Sequence, residues 1–138
     1  MRKRTRSREF ALQVLYRMDV TGDPSGESLD NFWLSLADEE TESQIKDFTA
    51  QLVKGVEENR KIIDEKVSYY AANWQLERMA VVDRNILRLA TYEILMRPEI
   101  PPKVSINEAI ELAKKFSDVE ASKFVNGILD KIKLEKDK

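Results

Sequence analysis

Apolar residues recur every three or four positions along most of this chain, which is the spacing of one face of an α-helix. The longest such stripe consists of Val82, Ile86, Leu89, Ala90 and Ile94. Shorter stretches repeat the pattern, and no stretch alternates apolar and polar residues as a half-buried strand would. Because the 138 residues include only four glycines and four prolines, turn-forming residues are too few for a many-stranded sheet. The pattern predicts an all-α protein of about seven helices.

Local signals predict where the last two helices begin. Ser105–Glu108 and Ser117–Glu120 have the spacing of a capping box, in which a serine and a glutamate satisfy open backbone N–H groups. The proline-rich segment Pro98–Pro102 cannot continue a helix and is expected to be extended. Within the last helix, Gly127 suggests that another backbone packs closely against it.

Cysteine and histidine are both absent, and this removes several classes of functional site. Disulfides, thiolate nucleophiles, the commonest general base and the usual zinc ligands are all excluded. Pairs of acidic residues such as Glu57 and Glu58 lie on polar helix faces without an apolar pocket, so we interpret them as solvated charges instead of acid–base catalysts. We therefore expect a protein without catalytic activity, metal or cofactor, although catalysis by carboxylates or lysines stays formally open.

The lengths of the apolar segments indicate in which cellular compartment the protein is expected. No apolar run reaches the length of a membrane span. Gln13, Arg17 and Asp19 interrupt the apolar residues that follow the basic N-terminus, so a signal peptide is not expected. These features predict a cytoplasmic protein without a membrane partner.

The first eight residues form a basic arm that contains no acidic residue: Arg2, Lys3, Arg4, Arg6 and Arg8. Removing these five from the 23 basic residues leaves 18 against 25 acidic ones, so a basic arm is attached to an acidic remainder. Localised positive charge indicates contact with a polyanion. The planar guanidinium group binds phosphate and stacks on unpaired bases, which suits single-stranded RNA. On charge alone, nucleic-acid binding and a merely solvated terminus remain open alternatives.

Aromatic residues are assigned from their place in the helical pattern. Tyr16 lies off the apolar stripe of the first helix, so we expect it at the surface beside the basic arm. Trp33, Trp74 and the Tyr69–Tyr70 pair are expected in the core or at its edge.

Four segments of the chain resemble the NusB family of bacterial antitermination factors: Arg8–Tyr16, Val82–Glu93, Val104–Lys114 and Lys123–Asp130. They occur in the order that the family has and span most of the chain. The resemblance implies an all-α fold of two three-helix bundles, with an N-terminal half of about residues 1–72 and a C-terminal half of about 73–138. It also implies binding of the boxA element in ribosomal RNA leaders, as a heterodimer with the small-subunit ribosomal protein NusE. This pair joins NusA, NusG and RNA polymerase and lets transcription pass terminators.

The same resemblance assigns two sets of contact residues. On the RNA side it implies the basic arm with Tyr16, together with residues around the start of the last helix: Lys115, Phe116, Glu120, Lys123 and Asn126. On the NusE side it implies Glu77, Asp83 and Arg84. A homodimer is also possible, because family members can self-associate.

Two other functions compete with this interpretation. NusB-like domains also serve as RNA-targeting modules of rRNA cytosine methyltransferases, but a chain ending at Lys138 is expected to lack room for a cofactor-binding domain. A purely structural dimer with an incidental basic tail is the third possibility, and its RNA binding would not respond to neutralising the arm.

Overall fold

The computed structural model describes residues 2–36, 40–72 and 74–137, and all regular structure in these ranges is helical. The described residues form seven α-helices, and a 3₁₀ turn at Leu76–Arg78 precedes the fifth. The helices are α1 (Lys3–Thr21), α2 (Ser25–Ser35), α3 (Ser43–Glu58), α4 (Arg60–Tyr70), α5 (Val81–Met96), α6 (Pro102–Phe116) and α7 (Val119–Lys136). The prediction of an all-α protein with about seven helices is confirmed. None of these helices is both long and apolar enough to span a membrane.

The chain divides into two compact units, unit 1 (Met1–Glu58) and unit 2 (Asn59–Lys138). Unit 1 contains α1 to α3, whereas unit 2 contains α4 to α7, one helix more than the three that the resemblance implies. The predicted division near residue 72 follows α4, but the contacts divide the chain before it. The reason is that α4 packs against α5 and α7, where its Ile63 and Val67 are fully buried.

Unit 1 is built on α1, which packs against both α2 and α3. Phe10 of α1 meets Phe32 and Trp33 of α2 edge to face, with ring centroids 5.3 and 5.7 Å apart. Ser25 donates hydrogen bonds from its backbone N–H and its hydroxyl to the carboxylate of Glu57, at 2.9 and 2.6 Å. Glu57 therefore caps the start of α2 from the end of α3, which is a structural role.

Unit 2 is built around α5, whose residues 85–94 are all buried. Charged and amide side chains in this run have partners, whereas the buried Thr91 hydroxyl has none among the described residues. Arg88 binds Asp64 of α4, and Glu93 accepts a hydrogen bond of 2.8 Å from the Ser105 hydroxyl of α6. The central helix is thus held by polar contacts as well as by apolar packing.

The structure corrects the predicted start of α6. This helix begins at Pro102, because a proline in the first turn has a suitable φ angle and lacks an N–H group that would need a partner. Ser105 therefore lies inside the helix, bonded to Glu93, and it is not a cap. The preceding segment is a turn instead of extended chain, since Ile100 N–H donates to Arg97 C=O at 3.0 Å and Ile100 is buried.

The start of α7 and its glycine also differ from the prediction. The cap is Asp118, whose carboxylate accepts a hydrogen bond of 2.7 Å from the Ala121 N–H group, so the predicted cap at Ser117 is one residue too early. Apart from the adjoining part of α7 itself, no atom of the described residues lies within 4 Å of the position that a Cβ would take at Gly127. The expected close packing of a second backbone at Gly127 is therefore wrong.

Candidate nucleic-acid interface

The basic arm is helical, since Lys3, Arg4, Arg6 and Arg8 lie in the first two turns of α1. The first turn contains no acidic residue, and no side chain caps it. Cations at a helix N-terminus oppose the helix dipole, so this charge does not serve the stability of α1. Free N–H groups and positive side chains at one end of a helix together attract an anion.

Arg6 and Tyr16 of α1 lie on the same side of the helix as Arg2, the residue just before it, since the three are separated by four and ten residues. Arg2 is exposed and Tyr16 is 42% exposed, which confirms the predicted surface position of Tyr16. Arg6 is half-buried, with its guanidinium carbon 4.2 Å from the centroid of the Phe10 ring. An ion pair of 3.1 Å with Glu9 also orients Arg6. The rise of 1.5 Å per residue places Arg6 and Tyr16 about 15 Å apart along the helix.

The other arm residues face α3. Lys3 Nζ lies 2.9 Å from the Glu42 carboxylate and donates to the Gln44 side chain at 3.1 Å. The guanidinium carbon of Arg4 lies 4.3 Å from the centroid of the Phe48 ring, and Arg4 stays exposed. Arg4 is thus held by an aromatic ring without being removed from solvent.

Arg8 differs from the other arm residues because it is only 3% exposed. Its guanidinium carbon lies 5.7 Å from the centroid of the same Phe48 ring. A side chain buried in this way packs α1 against α3, which favours a structural role. Contact between Arg8 and RNA stays a prediction.

Unit 2 carries the second set of candidate residues, at the junction of α6 and α7. Lys115 and Phe116 end α6, and the Lys115 ammonium lies 5.5 Å from the centroid of the Phe116 ring. Glu120 and Lys123 form an exposed ion pair of 3.4 Å in the first turns of α7, and Asn126 is half-buried one turn further on. Because both members of the ion pair are exposed, it contributes little to stability and is easily exchanged for another partner.

Exposed aromatic residues in unit 2 contradict the sequence interpretation. Trp74 is 57% exposed and meets Phe124 of α7 edge to face, with centroids 6.4 Å apart. Tyr69 is 75% exposed and packs edge to face on Tyr70. The expectation that Trp74 and Tyr69 lie in the core or at its edge is wrong. The position of Trp74 outside every apolar stripe was the available signal.

The residues that the resemblance assigns to a protein partner lie near the start of α5. Glu77 is exposed in the 3₁₀ turn, while Asp83 and Arg84 are half-buried in the first turn of α5. Asp83 lies where a negative charge interacts favourably with the helix dipole. Within the described part of the chain, its Oδ1 atom is buried without a hydrogen-bond partner.

The fold and the charge distribution define an all-α protein of two helical units whose first helix begins with clustered cations. The NusB family model matches residues 5–133. The transcription antitermination protein NusB of Anaeromyxobacter dehalogenans strain 2CP-1 is 48% identical over 130 residues, which cover 94% of this chain and 89% of that protein. The chain belongs to the NusB family.

Solved structures agree with this assignment. A structure of NusB from T. maritima matches with a TM-score of 0.84 and 36% identity, covering 98% of this chain and 92% of that one. A chain in the crystal structure of the antitermination factors NusB and NusE in complex with double-stranded RNA matches with a TM-score of 0.86 and 28% identity. That match covers 98% of each chain.

Proposed function

We propose that this protein is a transcription antitermination factor that binds boxA-type RNA of ribosomal RNA leaders together with NusE. The relatives are named antitermination proteins, and one matching structure contains NusB, NusE and RNA. On this proposal the protein works without catalysis, as one component of a complex with NusA, NusG and RNA polymerase. It acts in the bacterial cytoplasm, where transcription takes place.

The observation that carries the proposal is the clustering of cations at the N-terminus of α1 against the helix dipole. Arg2 and Arg6 would contact phosphates, and Tyr16 would stack on an unpaired base about 15 Å further along the same face. Lys3 and Arg4 add positive charge on the neighbouring side of the helix. Few cations are involved, so the arm supplies modest affinity, which decreases as the salt concentration rises.

A second RNA contact is proposed for the α6–α7 junction of unit 2, through Lys115, Phe116, Glu120, Lys123 and Asn126. Lysines supply phosphate contacts, whereas an aromatic ring and a side-chain amide are suited to unpaired bases. The exposed ring of Trp74 beside Phe124 adds a stacking surface that the sequence interpretation did not include.

NusE is proposed to bind at the start of α5, through Glu77, Asp83 and Arg84. This site combines two carboxylates with a guanidinium, so it favours a partner surface of mixed charge. A partner that also contacts RNA would add phosphate contacts to those of the arm, so a chain with a net charge of −2 would attain useful affinity.

The test is a binding measurement with a boxA-type RNA and a scrambled RNA of the same composition, with and without NusE, at two salt concentrations. The variant is Arg2→Gln with Arg6→Gln. Loss of two phosphate contacts should weaken binding and reduce the slope of log K against log salt by about 1.4, since each contact to a single strand contributes about 0.7.

The matched control is Lys54→Gln with Lys131→Gln, which removes the same charge from exposed positions outside the proposed surfaces. The proposal expects this control to keep nearly the wild-type slope. Equal affinity for both RNAs under every condition would refute sequence-specific recognition. Equal slopes for the two double variants would show that the arm is not the contact surface.

A further inference from the structure

A groove of about 310 Å³ opens in unit 1 between the first turns of α1 and the first half of α3. This volume lies near the lower end of the range for ligand sites, which is about 300–1,000 Å³. From α1, Lys3 and Arg4 line the groove. From α3, its lining includes Phe48 and three polar residues.

The three polar residues are Gln44, Asp47 and Gln51, and their spacing of three and four residues places them on one face of α3. All three are exposed. A glutamine side chain both donates and accepts hydrogen bonds, whereas a carboxylate only accepts them. These are the side-chain types that recognise the edges of nucleobases.

The charges in the groove favour a base over a phosphate. Asp47 repels an anion, and the positive charge of Lys3 is already offset by Glu42 at 2.9 Å. Arg4 is the other cation that lines the groove. Its guanidinium is stacked on the Phe48 ring at 4.3 Å while the residue stays exposed. A guanidinium plane held in this way is a surface on which an unpaired base stacks.

We propose that this groove is a nucleobase subsite, in which a base stacks on the Arg4 guanidinium and donates a hydrogen bond from its exocyclic amino group to Asp47. The inference rests on the RNA-binding function proposed above and adds a selectivity to it. Cytosine carries an amino group where uracil carries a carbonyl oxygen, which a carboxylate cannot bind. The subsite therefore accepts cytosine and discriminates against uracil.

The test compares the affinities of the full chain for two labelled RNAs, twelve-residue oligocytidine and oligouridine, at two salt concentrations. The wild type should bind oligocytidine more tightly. In Asp47→Asn the side-chain amide both accepts and donates, so it binds either base, and the affinity ratio should decrease about fivefold or more. In Arg4→Lys, the charge is kept and the planar stacking surface is lost, so affinity for both RNAs should decrease with little change in the salt slope.

The matched control for Asp47→Asn is Glu58→Gln, which removes one negative charge from an exposed position at the other end of α3. Both substitutions change the general attraction for RNA, but only Asp47→Asn should change the ratio. An unchanged ratio in Asp47→Asn overturns the subsite. If Arg2→Gln with Arg6→Gln still weakens RNA binding in that case, the proposed function stands without it. Absence of binding to any RNA overturns both proposals.

Discussion

Arg88 of α5 donates two hydrogen bonds to the carboxylate of Asp64 in α4, from Nε to Oδ1 at 2.8 Å and from Nη2 to Oδ2 at 3.2 Å. The Arg88 side chain is only 4% exposed, and its Nη1 atom also donates to the Asn85 side chain at 3.2 Å. Two parallel bonds between planar groups fix orientation as well as distance. This pair anchors α4 to α5 and is one reason why the boundary between the units falls before α4.

Asp64→Ala should destabilise the protein by about 3 kcal/mol, because it leaves the buried Arg88 guanidinium without its carboxylate. Urea unfolding followed by circular dichroism measures the change. Arg60→Ala is the control, since Arg60 binds the same carboxylate at 2.8 Å from a side chain that is 48% exposed. Its expected cost is below about 1 kcal/mol. Equal costs for the two variants would contradict a buried ion pair as the main contact.

Arg8→Ala should lower the free energy of unfolding by about 1–3 kcal/mol, because a buried side chain between α1 and α3 is lost. Arg2→Ala removes the same charge from an exposed position in the same arm and should change stability by no more than about 0.5 kcal/mol. Thermal and urea unfolding of both variants test the difference. A stable Arg8→Ala protein with reduced RNA affinity would place Arg8 among the RNA contacts.

The Tyr70 hydroxyl should lose its proton at a higher pH than an ordinary tyrosine does. Its hydroxyl donates a hydrogen bond to Glu135 of α7, and this bond, with desolvation and the negative charge of Glu135, raises the pKa of Tyr70 to about 12. Because the folded protein keeps this proton when an unfolded tyrosine with a pKa of about 10 has lost it, the stabilisation is complete below pH 10. It decreases as the pH rises from about 10 to about 12.

Tyrosinate absorbance as a function of pH measures this titration. The part of it that is lost in Tyr70→Phe belongs to Tyr70. Replacing Glu135 by alanine should move the late titration back toward pH 10, while the control Tyr69→Phe should leave it in place. A late titration that survives in Glu135→Ala would show that this carboxylate is not its cause.

The helices could be predicted from the sequence because a helix that buries one face has apolar residues at every third or fourth position. Val82 to Ile94 shows this, and so does the exposed Tyr16, whose place off the stripe indicated a surface position. Helix ends were less predictable, since competing local signals occur close together. Pro102 begins α6 three residues before the predicted cap, and Ser105 bonds to Glu93, twelve residues away in the chain.

The candidate interface was predictable as a region but not residue by residue. Charge alone did not distinguish Arg8, which is buried, from Arg4, which is exposed, because Phe48 of α3 contacts both. The sequence does place the groove residue Asp47 on the polar face of α3, because Gln44 and Gln51 lie three residues before it and four residues after it. The sequence does not indicate a binding site at Asp47, however, because the groove forms only when α1 packs against α3 and Arg4 lines it together with Asp47.

Replacing Gly22 in unit 1 and Gly127 in unit 2 by alanine should have opposite effects on stability. Gly22 ends α1 with φ at 79°, and its N–H group donates to Met18 C=O at 2.8 Å. Alanine is strained in this left-handed conformation, so Gly22→Ala should cost about 1–2 kcal/mol. Gly127 lies within α7, and among the described residues an added methyl group would meet no atom within 4 Å beyond the adjoining part of its own helix. Gly127→Ala should therefore stabilise the protein by about 0.5–1 kcal/mol through its higher helix propensity. Midpoints of urea unfolding measured in the two variants should thus shift in opposite directions. A loss of stability in Gly127→Ala would mean that the space beside this glycine is occupied in solution, as the sequence pattern first suggested.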